Sequence, residues 1–417
     1  MKTVIKNVLL GSVAGLAMVG TAAAADLPVK AKAAEYVKIC STYGAGFYYV
    51  PGTDTCLKLG GFVQTDYYWN DFNYLPSFDF GETYFKARGA IRLDARTQTE
   101  YGTLRSYIEY RLTYGTDSTN PTDTGEDVSA ALDKAYIQFA GFTFGKVQSF
   151  FDYYADNNIW GIDSIEITSD ENAIVAAYTA DFGNGFTATI AIEDDTQRND
   201  GVNFGPGIES DIPALVGNIN YEGEWGGFQV SGMVRQLETD QYFPLFGVND
   251  SDDVGWAVLG GVKFNLNALG EGDTLYIEGT YGDGAIEYTG ITGSYAPFVV
   301  LSDLYFDPLT NSLEAAKAWT IAGELTHFFT PNVFGVLFGN YGELDIPSAA
   351  ANGFDQAGFS MFNVGGSLNW TPVKNLLFVA QYTYGEADYD TPIENGFGNL
   401  VSNTSFNQVL LSVRRTF

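Results

Sequence analysis

Histidine is almost missing from this chain: His327 stands alone among 417 residues. One imidazole cannot build a histidine metal centre, and a Ser-His-Asp relay would have to use it. It lies in "ELTHFFTPN", beside a short turn, and strand parity puts it on one face with Trp319, Ile321 and Leu325. That is the setting of an interfacial or subunit-contact histidine. No G-x-S-x-G elbow and no P-loop occur. "DNNIWGID" opens like a calcium loop with Asp156, Asn158 and Gly161, but Trp160 and Ile167 occupy two ligand positions and break the pattern. No enzymatic activity, no metal and no cofactor are expected.

Basic residues are also scarce. There are 21 Lys and Arg against 51 Asp and Glu, a net charge of -30. So acidic a chain is a poor ligand for nucleic acid. Helical periodicity is nearly absent beyond the N-terminus, and no later stretch offers eighteen consecutive apolar residues, so no transmembrane helix is expected there. The one long apolar run follows Lys2 and Lys6: "VLLGSVAGLAMVG", then "TAAAAD". This reads as an export signal over residues 1–24, cut between Ala24 and Ala25. Only two cysteines occur, Cys40 and Cys56. Passage through an oxidising compartment predicts a bridge between them, with two free thiols as the alternative. The bridge would close the Gly- and Tyr-rich loop "STYGAGFYYVPGTDT" within an N-terminal segment 25–56.

What the chain has in abundance is period-2 alternation. "LKLGGFVQTDYYW" places Leu57, Leu59, Val63, Tyr67 and Trp69 on one face, and Lys58, Gln64 and Asp66 on the other. Similar segments recur to "NQVLLSVRRTF" at the end. Polar and apolar positions cancel, leaving a mean hydropathy of -0.04. The links alternate in length. Seven short ones, near 101, 141, 183, 225, 270, 330 and 373, separate eight long polar ones: 70–82, 114–132, 150–172, 194–213, 238–254, 283–316, 342–357 and 385–406. Sixteen strands in an up-and-down meander, with Tyr, Trp and Phe at their ends, give an all-β fold: a 16-stranded antiparallel transmembrane β-barrel over 57–417. Short turns would face the periplasm and long loops the exterior. A soluble β-sandwich would need neither so many segments nor this rhythm.

Against the acidic background, "KARGAIRLDAR" is anomalous. Lys86, Arg88, Arg92 and Arg96 all sit at even positions, with Ala87, Gly89, Ile91, Leu93 and Ala95 between them. Facing lipid, each cation near midplane would cost about 2–4 kcal/mol. Four together would cost roughly 10 kcal/mol, comparable to a domain's whole stability of about 5–15 kcal/mol. The even face therefore points into a wet lumen. The next strand adds Arg105 and Arg111, so six of the 21 cations line one wall. Arg92 should meet Glu109 across the hairpin. The other cations have no obvious local partner, so something acidic should stand opposite. The candidate is the link 150–172, with Asp152, Asp156, Asp163, Glu166, Asp170 and Glu171 and no basic residue. Folded into the lumen it would face the basic wall and set selectivity; otherwise it is one more solvated acidic loop.

The stretches "ADLPVKAKAAEYVKICSTYGAGFYYVPGTDTCLKLGGFVQTDYYW", "DARTQTEYGTLRSYIEYR", "AYIQFAGFTFGKVQSFFD" and the terminal "VRRTF" resemble the Rhizobium/Brucella-type general porins of alphaproteobacteria. The resemblance implies an outer-membrane barrel, usually a homotrimer, through which small hydrophilic solutes and ions diffuse passively. It implies that the third long loop folds inward over 150–172 to form a constriction. Arg88, Arg92, Arg96 and Arg105 would be its basic wall, and the acids of 152–171 the facing loop. Phe417, after alternating apolar residues, resembles the signal read by the barrel assembly machinery, although Arg415 departs from it. By composition, the acidic loops would hold divalent cations loosely and bridge through them to lipopolysaccharide. A sugar-selective channel would need a lumenal aromatic track, for which only Phe62 and Tyr107 offer themselves. A plugged adhesive barrel would need a separate soluble domain. The acidic mouths favour cations and the basic wall opposes them, with a weak lean to cations.

Overall fold

The computed structural model describes residues 38–73, 83–116, 127–154, 158–163, 168–202, 212–239, 251–291, 296–307, 312–347, 357–395 and 398–417. The export-signal expectation falls outside them. Sixteen long strands run in chain order: β1 Cys56–Phe72, β2 Thr83–Thr99, β3 Gly102–Gly115, β4 Asp127–Phe139, β5 Phe142–Gln148, β6 Asn172–Gly183, β7 Phe186–Glu193 and β8 Ala214–Gly223. The second half comprises β9 Gly226–Thr239, β10 Ser251–Asn265, β11 Thr274–Asp283, β12 Lys317–Thr330, β13 Val333–Asp345, β14 Phe359–Val373, β15 Leu376–Glu394 and β16 Leu400–Thr416. Each pairs antiparallel with its neighbours in sequence. β16 closes on β1, from Phe406 opposite Phe72 to Thr416 opposite Phe62. Phe417 and Gly61 then exchange two backbone hydrogen bonds, of 3.0 and 3.1 Å. Closure leaves no sheet edge, the condition for strands to cross a bilayer.

Alternation decides the two faces. Val63, Ile91 and Ile190 point outward, each more than half exposed. Gln64, Glu109, Gln229, Glu324, Asn363 and Gln381 point inward and are buried. This inverted distribution is stable only with hydrocarbon outside and water or polar groups inside. Aromatic contacts gather at both rims. Tyr221–Trp225, Phe186–Tyr221 and Trp370–Phe378 lie by the short turns, and Tyr67–Phe85, Trp256–Tyr281 and Trp319–Tyr341 by the long loops. His327 sits at the short-turn rim, 2.6 Å from Asp273, with its ring edge-on to Phe329.

The short turns use residues that tolerate positive φ. Between β6 and β7, Asn184 (54°) and Gly185 (87°) make a two-residue reversal. A Cβ at Gly185 would also collide with the Glu222 carbonyl oxygen. The long links are shorter than the sequence expects, because several hairpins rise past the bilayer. The link 385–406 is mostly strand, leaving only residues 395–399 between β15 and β16. Above the membrane neither face meets lipid, so hydrophobic alternation fades while backbone pairing continues.

Cys40 and Cys56 are bridged, with their Cα atoms 5.9 Å apart. The loop so closed packs Phe47 with Tyr43 and Tyr49. It lies against lumen-facing cations at the short-turn end, with the Arg96 guanidinium 5.1 Å from the Phe47 ring. Arg415, the departure from the apolar terminal pattern, lies at the same rim and donates to the Asn375 carbonyl at 3.2 Å. Its head thus leaves the lipid zone.

Candidate pore constriction

The basic wall is built by β2 and β3. Their register sets Arg92 opposite Glu109 and Arg96 opposite Arg105. All six expected cations face the lumen, and Arg92 meets Glu109 as expected, but the other arginines find acids within the wall that were not expected as their partners. Arg92 grips Glu109 bidentately, at 2.7 and 3.1 Å. Arg111 donates to the same carboxylate at 2.9 Å and lies 2.8 Å from Asp133 of β4. Asp94 accepts from Arg96 (2.9 and 2.7 Å) and from Arg105 (3.1 and 3.0 Å). The wall therefore carries its own counter-charges. Asp94 was legible, since it shares even parity with the cations around it; Asp133 lies at a register shift that the sequence does not reveal.

The guanidinium-bearing side chains still reach water. Arg92, Arg96, Arg105 and Arg111 retain side-chain exposures of 33, 27, 24 and 28 %. Arg88 donates to the Thr113 hydroxyl at 2.9 Å and forms no ion pair among the described residues. Tyr107 and Tyr136 stack beside Arg105, and Phe62 lies between Arg92 and Arg414. Arg414 was missed as a wall residue. Its parity opposite Leu411 and Val413 puts it inside, and its guanidinium sits 3.8 Å from the Phe62 ring centre.

The described residues of the loop joining β5 to β6, L3 (149–171), lie against the lumenal wall. Its path is fixed by polar side chains on the inner wall. Asn158 donates to Glu324 of β12 through its backbone (3.0 Å) and its amide (2.9 Å). Trp160 and Gln381 of β15 exchange two bonds, of 3.0 and 3.2 Å. The Ile162 and Asp163 amides donate to Asp66 (2.7 Å) and Tyr68 (2.9 Å) of β1. Asp163 then reaches Lys86 on β2, at 2.8 Å.

Among the described residues the loop acids part company: Asp163 forms an ion pair with the ladder. Asp152 turns away and is buried against Arg198, at 2.6 Å, also accepting from Ser169 and the Glu171 amide. The Glu171 carboxylate accepts from the adjacent Asn172 amide, and Asp170 is half-buried on the returning limb. Asp156 and Glu166 lie outside the described residues. The reason for the difference is a competing cation. Arg198, on the β7–β8 loop L4 (194–213), is 3 % exposed and takes the carboxylate nearest to it. Nothing in the sequence marks that long-range contact.

Fold and site together define a transmembrane β-barrel with a polar lumen narrowed by an inward loop. The sequence profile of the porin subfamily matches residues 26–408. The chain belongs to this porin family and is an integral barrel of the bacterial outer membrane. It is 35% identical over 244 residues to porin Omp2b of Brucella canis, covering 55% of this chain and 65% of that protein, just under two thirds of its length. It is 34% identical over 251 residues to porin Omp2a of Brucella ovis, covering 55% and 69%. Among solved structures it is similar to the outer membrane channel DcaP of Acinetobacter baumannii, with TM-score 0.66, 18% identity and coverage of 88% and 99%. It is also similar to Salmonella typhi OmpF, with TM-score 0.54, 12% identity and coverage of 87% and 98%. At those identities the likeness is one of fold.

Proposed function

We propose that this protein is a passive diffusion channel for small hydrophilic solutes and ions. The observation that carries the reading is the partly exposed arginine ladder beside an anchored L3. Buried guanidiniums would belong to a packed core; these keep contact with water inside a closed barrel. Lys86, Arg88, Arg92, Arg96, Arg105 and Arg111, with Arg414, form the basic side of the eyelet. Asp163 supplies the facing charge, and Asp94 and Glu109 temper the ladder from within it.

The acidic exterior concentrates cations at the mouth, and the partly neutralised ladder opposes them only modestly, so the channel prefers cations weakly. The functional unit is a homotrimer in a lipopolysaccharide-bearing leaflet, delivered by the export signal and inserted by the assembly machinery through its terminal Phe417. A solved OmpT of Vibrio cholerae with this fold is described in a trimer form. Neutralising Arg88, Arg92 and Arg96 together tests the eyelet. The reversal potential in a KCl gradient should move toward cations. An unchanged potential in a folded barrel would remove these residues from the conduction path.

A further inference from the structure

The upper lumen holds a second inward structure. The described residues of the loop between β11 and β12, L6 (284–316), turn into the barrel. Ile286, Ile291, Ala296 and Tyr305 on it are fully buried. They pack on Leu344, Phe359, Met361, Ala387 and Phe406, which point inward from β13 to β16. The same strands are polar inside farther down, with Asn340, Asn363, Gln381, Thr383 and Gln408. An apolar inner wall at one level only makes sense if something apolar covers it.

The loop is also held by polar contacts. Asp303 of L6 lies 2.6 Å from Arg235 of β9 and accepts from the Ile286 amide (3.0 Å) and the Asp200 amide of L4 (2.9 Å). Arg235 also donates to the Gly284 carbonyl, at 3.1 and 2.8 Å. The hydroxyls of Thr280 and Thr320 on the wall donate to the Thr289 carbonyl. Tyr288 meets L3 and L4 together: its ring is edge-on to Phe151 and faces the Arg198 guanidinium at 4.5 Å. At Gly290 the two inward loops touch. A Cβ there would come within 2.7 Å of the Thr168 backbone.

We propose that L6 is a second size-selecting element of the pore, seated on L3 and latched by Arg235 and Asp303. The eyelet is then bounded by two loops braced against each other, and releasing L6 widens the passage. This rests on the channel reading of the same lumen. Arg235→Gln, Asp303→Asn and Asp195→Asn together remove the latch along with the second carboxylate that pairs with Arg235, at 3.3 Å, so that none of these three charges is left without its partner. Graded neutral polyethylene glycols, applied to single channels, should enter the variant at sizes that the native channel excludes, and open conductance should rise.

A second readout needs no conductance. The chain has no free cysteine, so Ala387→Cys would be the only thiol. A water-soluble maleimide should leave it unmodified in the native background and label it in the latch variant. Rapid labelling in the native background would overturn the proposal, as would an unchanged exclusion limit in a latch variant that keeps the heat-sensitive gel mobility of a folded barrel. If the latch variant does not fold, protection of the Ala387→Cys thiol decides alone. A native barrel that fails to conduct while protecting that thiol would refute the channel reading and leave the loop's seat standing.

Discussion

Asp94 accepts from Arg96 and Arg105, and Glu109 from Arg92 and Arg111. Two acids thus hold four arginines in fixed, charge-assisted geometry. Removing one acid exposes the charge of two cations to the lumen. Asp94→Asn should shift the reversal potential toward anions, whereas Arg88→Gln should shift it toward cations. Shifts of the same sign in both variants would contradict this account of the ladder. Asp152 and Arg198 form a different kind of pair, with side chains 0 and 3 % exposed. Breaking a buried pair from one side leaves a desolvated charge and costs about 3–5 kcal/mol. Asp152→Ala should lower barrel stability by about that much in denaturant titration, and a loss within error of zero would contradict its burial. At this scale the sequence showed which residues face inward, because parity alone decides it. It showed one pairing, Arg92 with Glu109, but not the others: Asp152 was expected opposite the ladder, and only the path of L4 explains why it is not.

The loops carry their own titratable junction. Asp200 on L4 lies near Glu287 and Asp303 on L6, with Arg235 of β9, Arg198 of L4 and Tyr305 of L6 around them. Burial, and then the neighbouring Asp303 and Glu287, hold the Asp200 carboxyl well above the usual carboxylate range, at about 8. Burial likewise raises Glu287, and the two titrate as a pair. A carboxyl raised in the folded loop binds its proton more tightly there than in the unfolded chain. Its contribution is full below the unfolded value and is lost as pH rises through about 8. Alkaline solution should therefore loosen the L4–L6 junction, read as a rise in conductance and in current noise above that pH. Asp200→Asn should flatten the profile; an equal rise in that variant would assign the effect elsewhere. The strands were legible because each crosses a bilayer that enforces alternation. L6 was not, since a segment covered by other loops obeys no period, and its apolar residues resemble those of any irregular link.

The whole molecule was the most legible scale. The alternation of seven short and eight long links gives sixteen strands, and the structure has that number, paired in sequence and closed from β16 to β1. The apolar outer belt and polar lumen follow from the solvent on each side. The alternation alone does not imply the contacts that L3 and L6 make inside the barrel. An acidic chain can keep a basic wall because six of its cations lie on the adjacent β2 and β3, with Arg414 added from β16, and because acids within it temper the charge.

Single-channel recording of the purified protein in a planar bilayer, under a KCl gradient, tests the central claim most directly. Stepwise openings grouped in threes are expected, with a reversal potential of weakly cation-preferring sign. Persistent absence of conductance from a folded barrel would contradict it and mean that L3 and L6 together close the lumen.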